Sequence, residues 1–294
     1  MAYGRLGRRT WMAAAGVLAA GLWGCSRPVP PAPVTEVRAV QVAALPSTPE
    51  DAQWGSGEAF RAPLILQDMV EPRKMVAGAT EVTVRALTDG KSIAFRLEWA
   101  DATEDSVRDA ARFTDACAVQ LPSNSGPDTP APQMGEPGRP VEIAFWTATA
   151  QAFIDGRPDD LKSLHPNANI DHYPFEAPGL EKTPGKAEEM AKQYAPAKSL
   201  GNIVSPSPKK SVQDLMADGP GTMRPAPSQS STGLGRRTGA GWAVVITRPL
   251  PSGLAPGGTS LVAFAVWNGS DGDVGGRKMR TVWIPLTLTG AKKP

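Results

Sequence analysis

A methionine stands in a Pro/Gly loop, Pro132-Gln133-Met134-Gly135, between two strand-like runs, Cys117–Leu121 before it and Val141–Trp146 after it. A thioether in such a place does one of two things. It fills a gap in a core, or it acts as a soft ligand to a metal. Gap filling is the commoner use of Met, and taken alone the residue leaves both readings open. Other chemistry-bearing residues are sparse. His165 and His172 lie seven apart in a loop-like segment and lack the spacing of a zinc site. A triad assembled from His172 and distant Ser and Asp residues has no motif around it, so ordinary loop histidines are the favoured reading. Glu98, Asp101, Glu104 and Asp105 cluster in LEWADATED. Several oxygens together suit a hard cation, but a solvated strand end is the plainer explanation. Trp99, Trp146, Trp242, Trp267 and Trp283 fall at strand positions, where packing between sheets outweighs a sugar-stacking platform. The chain contains no Cys-x-x-Cys-His, nucleophile elbow, phosphate loop or dinucleotide fingerprint.

The elements that must position these residues are mostly strands. Thr80–Leu87 and Ser92–Trp99 alternate apolar and polar residues around Asp89-Gly90, the turn chemistry of a hairpin. Val37–Ala43 alternates weakly, and the domain proper is expected to begin near Trp54. Asp105–Arg112 is expected as a short helix leading into the Cys117–Leu121 strand. Ser211–Asp218, with Asp214 three residues after Ser211 and Gly219 as a stop, reads as a capped short helix. Strand patterning returns at Trp242–Arg248, Ser260–Trp267 and Thr281–Leu288. Seven or more short strands split by turns predict an all-β protein, an antiparallel β-sandwich with short helices. A long loop and helical insertion is expected at about 155–225.

Residues 1–24 carry Arg5, Arg8 and Arg9 ahead of an apolar run too short to span a bilayer, the pattern of an export signal peptide. Leu22-Trp23-Gly24-Cys25 resembles a bacterial lipobox, which would make Cys25 a lipidated first residue. The Arg8-Arg9 pair fits a twin-arginine signal only loosely. Residues 25–50 form a Pro-rich linker, and 51–290 the expected sandwich domain. With Cys25 modified, Cys117 has no disulfide partner, so the core alone must hold the fold. A net charge of +2, with both signs mixed, leaves no nucleic-acid footprint. Thirty prolines and thirty glycines against 6% aromatics fit many short strands and long loops, not a helical bundle.

Five segments taken in order, FRLEWADATED, FTDACAVQLP, PQMGEPGRPVEIAFW, GWAVVITRPL and AFAVWNGSDGDVGGRKMRTVWIPL, resemble the haem b subunit of type II dimethyl-sulfoxide-reductase-family enzymes. Those are the small subunits of ethylbenzene dehydrogenase, dimethyl sulfide dehydrogenase, selenate reductase and chlorate reductase. The resemblance covers roughly 54–146 and 242–288. It implies a sandwich holding one haem b through a methionine and a lysine. It also implies electron transfer within a complex that has a molybdopterin catalytic subunit and an iron–sulfur subunit. Residue by residue, the methionine is Met134 and the lysine is Lys278 of GGRKMRTVW, with Lys198 of YAPAKSLGN as an alternative. An amine binds iron only when deprotonated, so such a site must lower the lysine's pKa. The 155–225 segment and the apparent lipid anchor depart from the family pattern, and the anchor suggests a membrane-attached relative. The resulting expectation is an exported, lipid-anchored, non-catalytic electron-transfer subunit on the periplasmic side, relaying electrons between that complex and a cytochrome or quinone-side partner. The alternatives are a surface carbohydrate-binding lipoprotein on a related sandwich and a ligand-free assembly lipoprotein.

Overall fold

The computed structural model describes residue 1 and residues 34–126, 128–158, 161–169, 184–194, 196–200 and 209–290. Among the described residues, fourteen strands form one continuous ladder that folds over itself. The first layer runs β10 (Thr232–Arg237), β11 (Gly241–Pro249), β5 (Ser92–Ala100), β4 (Glu81–Thr88), β1 (Val37–Gln41) and β14 (Ile284–Leu288). The second holds β6 (Ala116–Pro122), β7 (Val141–Thr147), β8 (Val212–Ala217) and β9 (Arg224–Pro225). The layers are joined by β12 (Thr259–Trp267), whose first half pairs with β14 and whose second half pairs with β6. Two short strands, β3 (Ile65–Leu66) and β13 (Met279–Arg280), extend the second layer beyond β12, and β2 (Phe60–Pro63) pairs with β4. The sandwich expected from the strand pattern is present.

The hairpin of β4 and β5 turns at Asp89-Gly90 as predicted, with Gly90 at φ 88° and the Asp89 carboxylate accepting from the Lys91 and Ser92 amides. Inward residues of both layers meet in one core. Phe95 packs edge-on against Phe264 at 5.9 Å, and Trp146 meets Trp242 at 5.1 Å and Trp99 at 6.4 Å between centroids. Each such aromatic pair is worth about 0.5–1.5 kcal/mol beyond its buried area. Of the expected Thr281–Leu288 strand only Ile284–Leu288 is ladder, as β14, and β13 lies just before it. β13 pairs Arg280 with Ala265, while β14 pairs Ile284 with Val262, so one extra residue intervenes. Such a bulge re-aims the chain, and here it offsets β13, which carries Arg280, from β14.

Three expectations need correction. Val212–Ala217 is β8, paired with β7 over six residues, and not a capped helix. The Ser211 hydroxyl donates to the Gly233 carbonyl, and Asp214 accepts from the Ser231 amide. Sheet pairing therefore overrides a local capping signature. The expected insertion at 155–225 accordingly takes in two strands of the second layer, β8 and β9. Residues 105–112 form no helix but a loop with an Asp109–Arg112 bridge. Finally, a boundary at residue 51 leaves out β1, which lies mid-sheet between β4 and β14. The described helices are α1 (Ala148–Ile154), α2 (Leu161–Leu164), α3 (Pro184–Tyr194) and α4 (Pro196–Ser199). Among the described residues no helix is long and apolar enough to cross a membrane. Cys25 and the expected signal and linker up to residue 33 lie outside the described residues.

Candidate functional site

Strand alternation gives the second layer two faces. Cys117, Val119, Ala144, Trp146, Phe264 and Val266 point into the core between the sheets. Their neighbours Ala116, Ala118, Ile143, Ala265 and Trp267 form a separate apolar cluster on the outer face. Much of that face is alanine. Ala118 lies opposite Ala265, and Ala263 opposite Gln120. Small side chains on a strand face leave a depression where Leu or Phe would fill it. That depression is the floor of a cavity of about 560 Å³ lined by Ala118, Ala263 and Ala265 below and by Ile143, Phe145, Leu215 and Trp267 around it. Its size falls within the range of roughly 300–1,000 Å³ usual for ligand and cofactor pockets.

Met134 is on the wall of this cavity, packed against the outer-face cluster. Its backbone is left-handed at φ 69°, uncommon for a residue with a side chain. The loop is latched on several sides. The Gln120 amide donates to the Pro132 carbonyl at 3.0 Å, and the Trp283 indole to the Pro130 carbonyl at 2.7 Å. The Gly219 amide donates to the Met134 carbonyl at 2.9 Å. Gly135, at φ 78°, has the Arg139 carbonyl 2.9 Å from where a Cβ would stand, so only glycine fits. The surroundings fix where the sulfur sits.

Lys278 lies on the wall of the same cavity, more than 140 residues away in sequence. Its carbonyl accepts from the Gln67 amide at 3.1 Å, and Met279 is turned into the core between the sheets. Gln67 braces the neighbourhood, donating from its side chain to the Gly276 and Val70 carbonyls. A buried ion pair, Lys74 with Asp273 at 2.7 Å, ties the same two loops together. The Lys278 amine stands 4.9 Å from the centre of the Trp267 ring. Among the described residues it has neither a hydrogen-bond acceptor nor a carboxylate partner. Desolvation by the surrounding protein, with the Arg280 charge adding to it, brings its pKa from 10.5 down to about 8. Roughly one amine in ten is then neutral at pH 7, far more than for an ordinary lysine. Glu71, the acid on the cavity wall, is exposed and bonded to Arg73 at 2.8 Å.

The other sequence candidates do not assemble into sites. Glu98 is bonded to Arg96 at 2.6 Å, and the Asp101 carboxylate caps Thr103. Among the described residues no group of three His, Cys, Asp or Glu side chains is placed to hold a metal. His165 pairs with Asp109 at 2.7 Å on the surface, and His172 lies outside the described residues. Lys198 is in α4, with its side chain outside the description. Trp99, Trp146 and Trp242 are buried between the sheets and present no stacking platform. Sequence reasoning missed the alanine floor, Gln67 and Arg280. The signal for the floor was there in ACAVQ and LVAFAV, where one strand face carries Ala116 and Ala118 and its partner Ala263 and Ala265.

A family model described as ethylbenzene dehydrogenase matches residues 51–279. A Haloferax mediterranei protein described as a respiratory nitrate reductase heme subunit (ORF7) is 25% identical over 266 residues, covering 88% of this chain and 73% of that protein. The chlorate reductase subunit gamma of Ideonella dechloratans is 25% identical over 218 residues, covering 71% and 66%. Among solved structures, a family 9 carbohydrate binding module from Caldicellulosiruptor kristjanssonii in complex with cellotriose aligns at TM-score 0.43 and 9% identity, over 87% of this chain and 98% of that one. That similarity is too low to bear on ligand or mechanism.

Proposed function

This chain belongs to the ethylbenzene dehydrogenase family, and from that premise we propose that it is the haem b electron-transfer subunit of a molybdopterin and iron–sulfur oxidoreductase complex. Two similar proteins carry the names of a heme subunit and a gamma subunit of reductases, which supports the role as a subunit of a respiratory reductase complex. The observation that carries the reading is that Met134 and Lys278 line one largely apolar cavity, the lysine without a counter-ion among the described residues.

The residues present fit the group. A haem is flat and mostly apolar, and the alanine floor with its walls of Ile143, Phe145 and Trp267 offers a broad apolar space. Met134 and Lys278 are the residues that would hold its iron, one through a thioether and one through a neutral amine. Haem b supplies a single iron that takes up and releases one electron at a time. The protein's part is to keep the Lys278 nitrogen desolvated, to aim the Met134 sulfur through a latched loop, and to line the space with carbon so that water is excluded. The lowered pKa of Lys278 reduces the cost of removing its proton at neutral pH. Substrate chemistry belongs to the molybdopterin subunit in this reading, and the chain itself turns nothing over. We further propose periplasmic placement with a lipid anchor at Cys25, on the strength of the N-terminal sequence alone.

The test is spectroscopic. Full-length protein purified with haem is expected to show a low-spin, six-coordinate spectrum. Met134→Ala and Lys278→Ala should each lose that character. Unchanged spectra in both variants would sink the ligand assignment, and protein that takes up no haem would sink the function.

A further inference from the structure

The described residues include two buried arginines, Arg248 and Arg280, at 6% and 8% exposure. They differ in one respect. Arg248 has a carboxylate partner, Glu142, across the two layers. Arg280 has none. Its only hydrogen bond among the described residues is a long one, 3.3 Å, from Nη1 to the Thr281 carbonyl, and its buried Nε has no acceptor. A guanidinium taken out of water and left unpaired is costly, and proteins normally match it with an anion.

The position of Arg280 indicates where that anion comes from. β13 holds it between β3 and β12, opposite Ile65 and Ala265. Lys278 immediately precedes β13, and it and Arg280 both line the cavity while Met279, between them, turns into the core. Arg280 lines the same cavity as Lys278 and Met134, deep beside the alanine floor. The acid on the wall, Glu71, is exposed and held by Arg73. The rigid fork of a guanidinium binds a carboxylate through two parallel hydrogen bonds, which an ammonium cannot do.

We propose that Arg280 is the anion-binding residue of this cavity and receives a carboxylate substituent of its ligand. The inference rests on the haem reading, in which that substituent is a propionate. Lys278 and Arg280 then divide the work of one cavity wall, with one side chain for the metal and its neighbour but one for the periphery. The residue fixes the orientation of the ligand in its plane, which neither Met134 nor Lys278 can do.

The experiment compares two probes in the full-length, haem-free protein: protohaem and its dimethyl ester, which lacks both negative charges. Absorbance titration of the wild type should show protohaem binding at least about tenfold more tightly than the ester. Arg280→Gln should weaken protohaem to a similar degree and leave the ester unchanged, while keeping the axial spectrum. Arg280→Lys should recover only part of the loss. Equal binding of acid and ester by the wild type overturns the inference and leaves the haem function standing. Binding of neither overturns both. If the Gln variant fails to fold, Arg108→Gln, at the other arginine on the cavity wall, decides the matter: it should keep the preference for the acid, and its loss there would overturn the assignment to Arg280.

Discussion

Ala118 and Ala265 face each other across β6 and β12 on the outer side of the second layer, and between them they make the floor of the cavity. Their inward neighbours are Cys117, Val119, Phe264 and Val266, all part of the sealed core. One pair of strands thus serves two purposes through its two faces. The inner face stabilises the sandwich, and the outer face stays shallow and floors the cavity.

The floor can be filled without disturbing the core. Ala265→Phe should abolish haem uptake, or weaken it by at least about tenfold, while changing unfolding stability by about 1 kcal/mol or less. Haem titration alongside urea denaturation measures both quantities. Undiminished uptake in the Phe variant would remove the floor from the binding site.

Met134 is held in the left-handed region at φ 69°, a conformation that costs a residue with a Cβ about 1 kcal/mol or more and costs glycine nothing. Met134→Gly should therefore be more stable than Met134→Ala by about 1 kcal/mol. Both should lose six-coordinate haem. A glycine variant that unfolds as easily as the alanine variant would show that the loop carries no backbone strain at this position.

The lowered pKa of Lys278 has a defined sign in the haem-free protein. In the unfolded chain the amine titrates near 10.5, and in the folded cavity at about 8. Between those values the unfolded chain binds more protons, so this group makes the fold more stable as pH rises from about 8 to 10.5. Below pH 8 its destabilising effect is fully present. Lys278→Met should raise the stability of the haem-free protein at pH 7 and flatten its rise above pH 8. Denaturant midpoints at pH 7, 9 and 10.5 test this, and parallel pH profiles in the two proteins would contradict it.

Gly235 on β10 lies directly under Trp146, where an added Cβ would stand 2.1 Å from the indole Cζ2. Gly235→Ala should cost about 1–3 kcal/mol through overpacking. Because Trp146 belongs to the inner face, haem affinity should hardly change while the variant remains folded. A calorimetric melting curve with a haem titration separates the two effects.

Strand content, the β4–β5 hairpin and the Met134 loop were readable in the order of residues because alternation and turn chemistry are local. The β8 segment misled for the same reason. Ser211, Asp214 and Gly219 satisfy a local rule for a helix, but seven-residue β7 offers Val212–Ala217 a ladder, and pairing outweighs capping. The Asp105–Arg112 segment was likewise read from local propensity, and the bond from the Asp105 amide to the Asp115 carboxylate, which also accepts from the Trp242 indole, anchors its start in a loop instead.

By itself the sequence determined that this is a β-sandwich, that a methionine stands at the rim of one sheet, and that a lysine precedes the last strands. It held no information on whether those two residues share a cavity, since nothing local links positions more than 140 residues apart. The tertiary structure decided that. It folds one ladder back on itself through β12 and turns four alanines and a tryptophan to the outside. It also places the Lys278 amine on a cavity wall where desolvation lowers its pKa, and leaves Arg280 buried without a counter-ion among the described residues. Burial and the absence of a partner are properties of an environment, and an environment exists only once distant strands have been brought together.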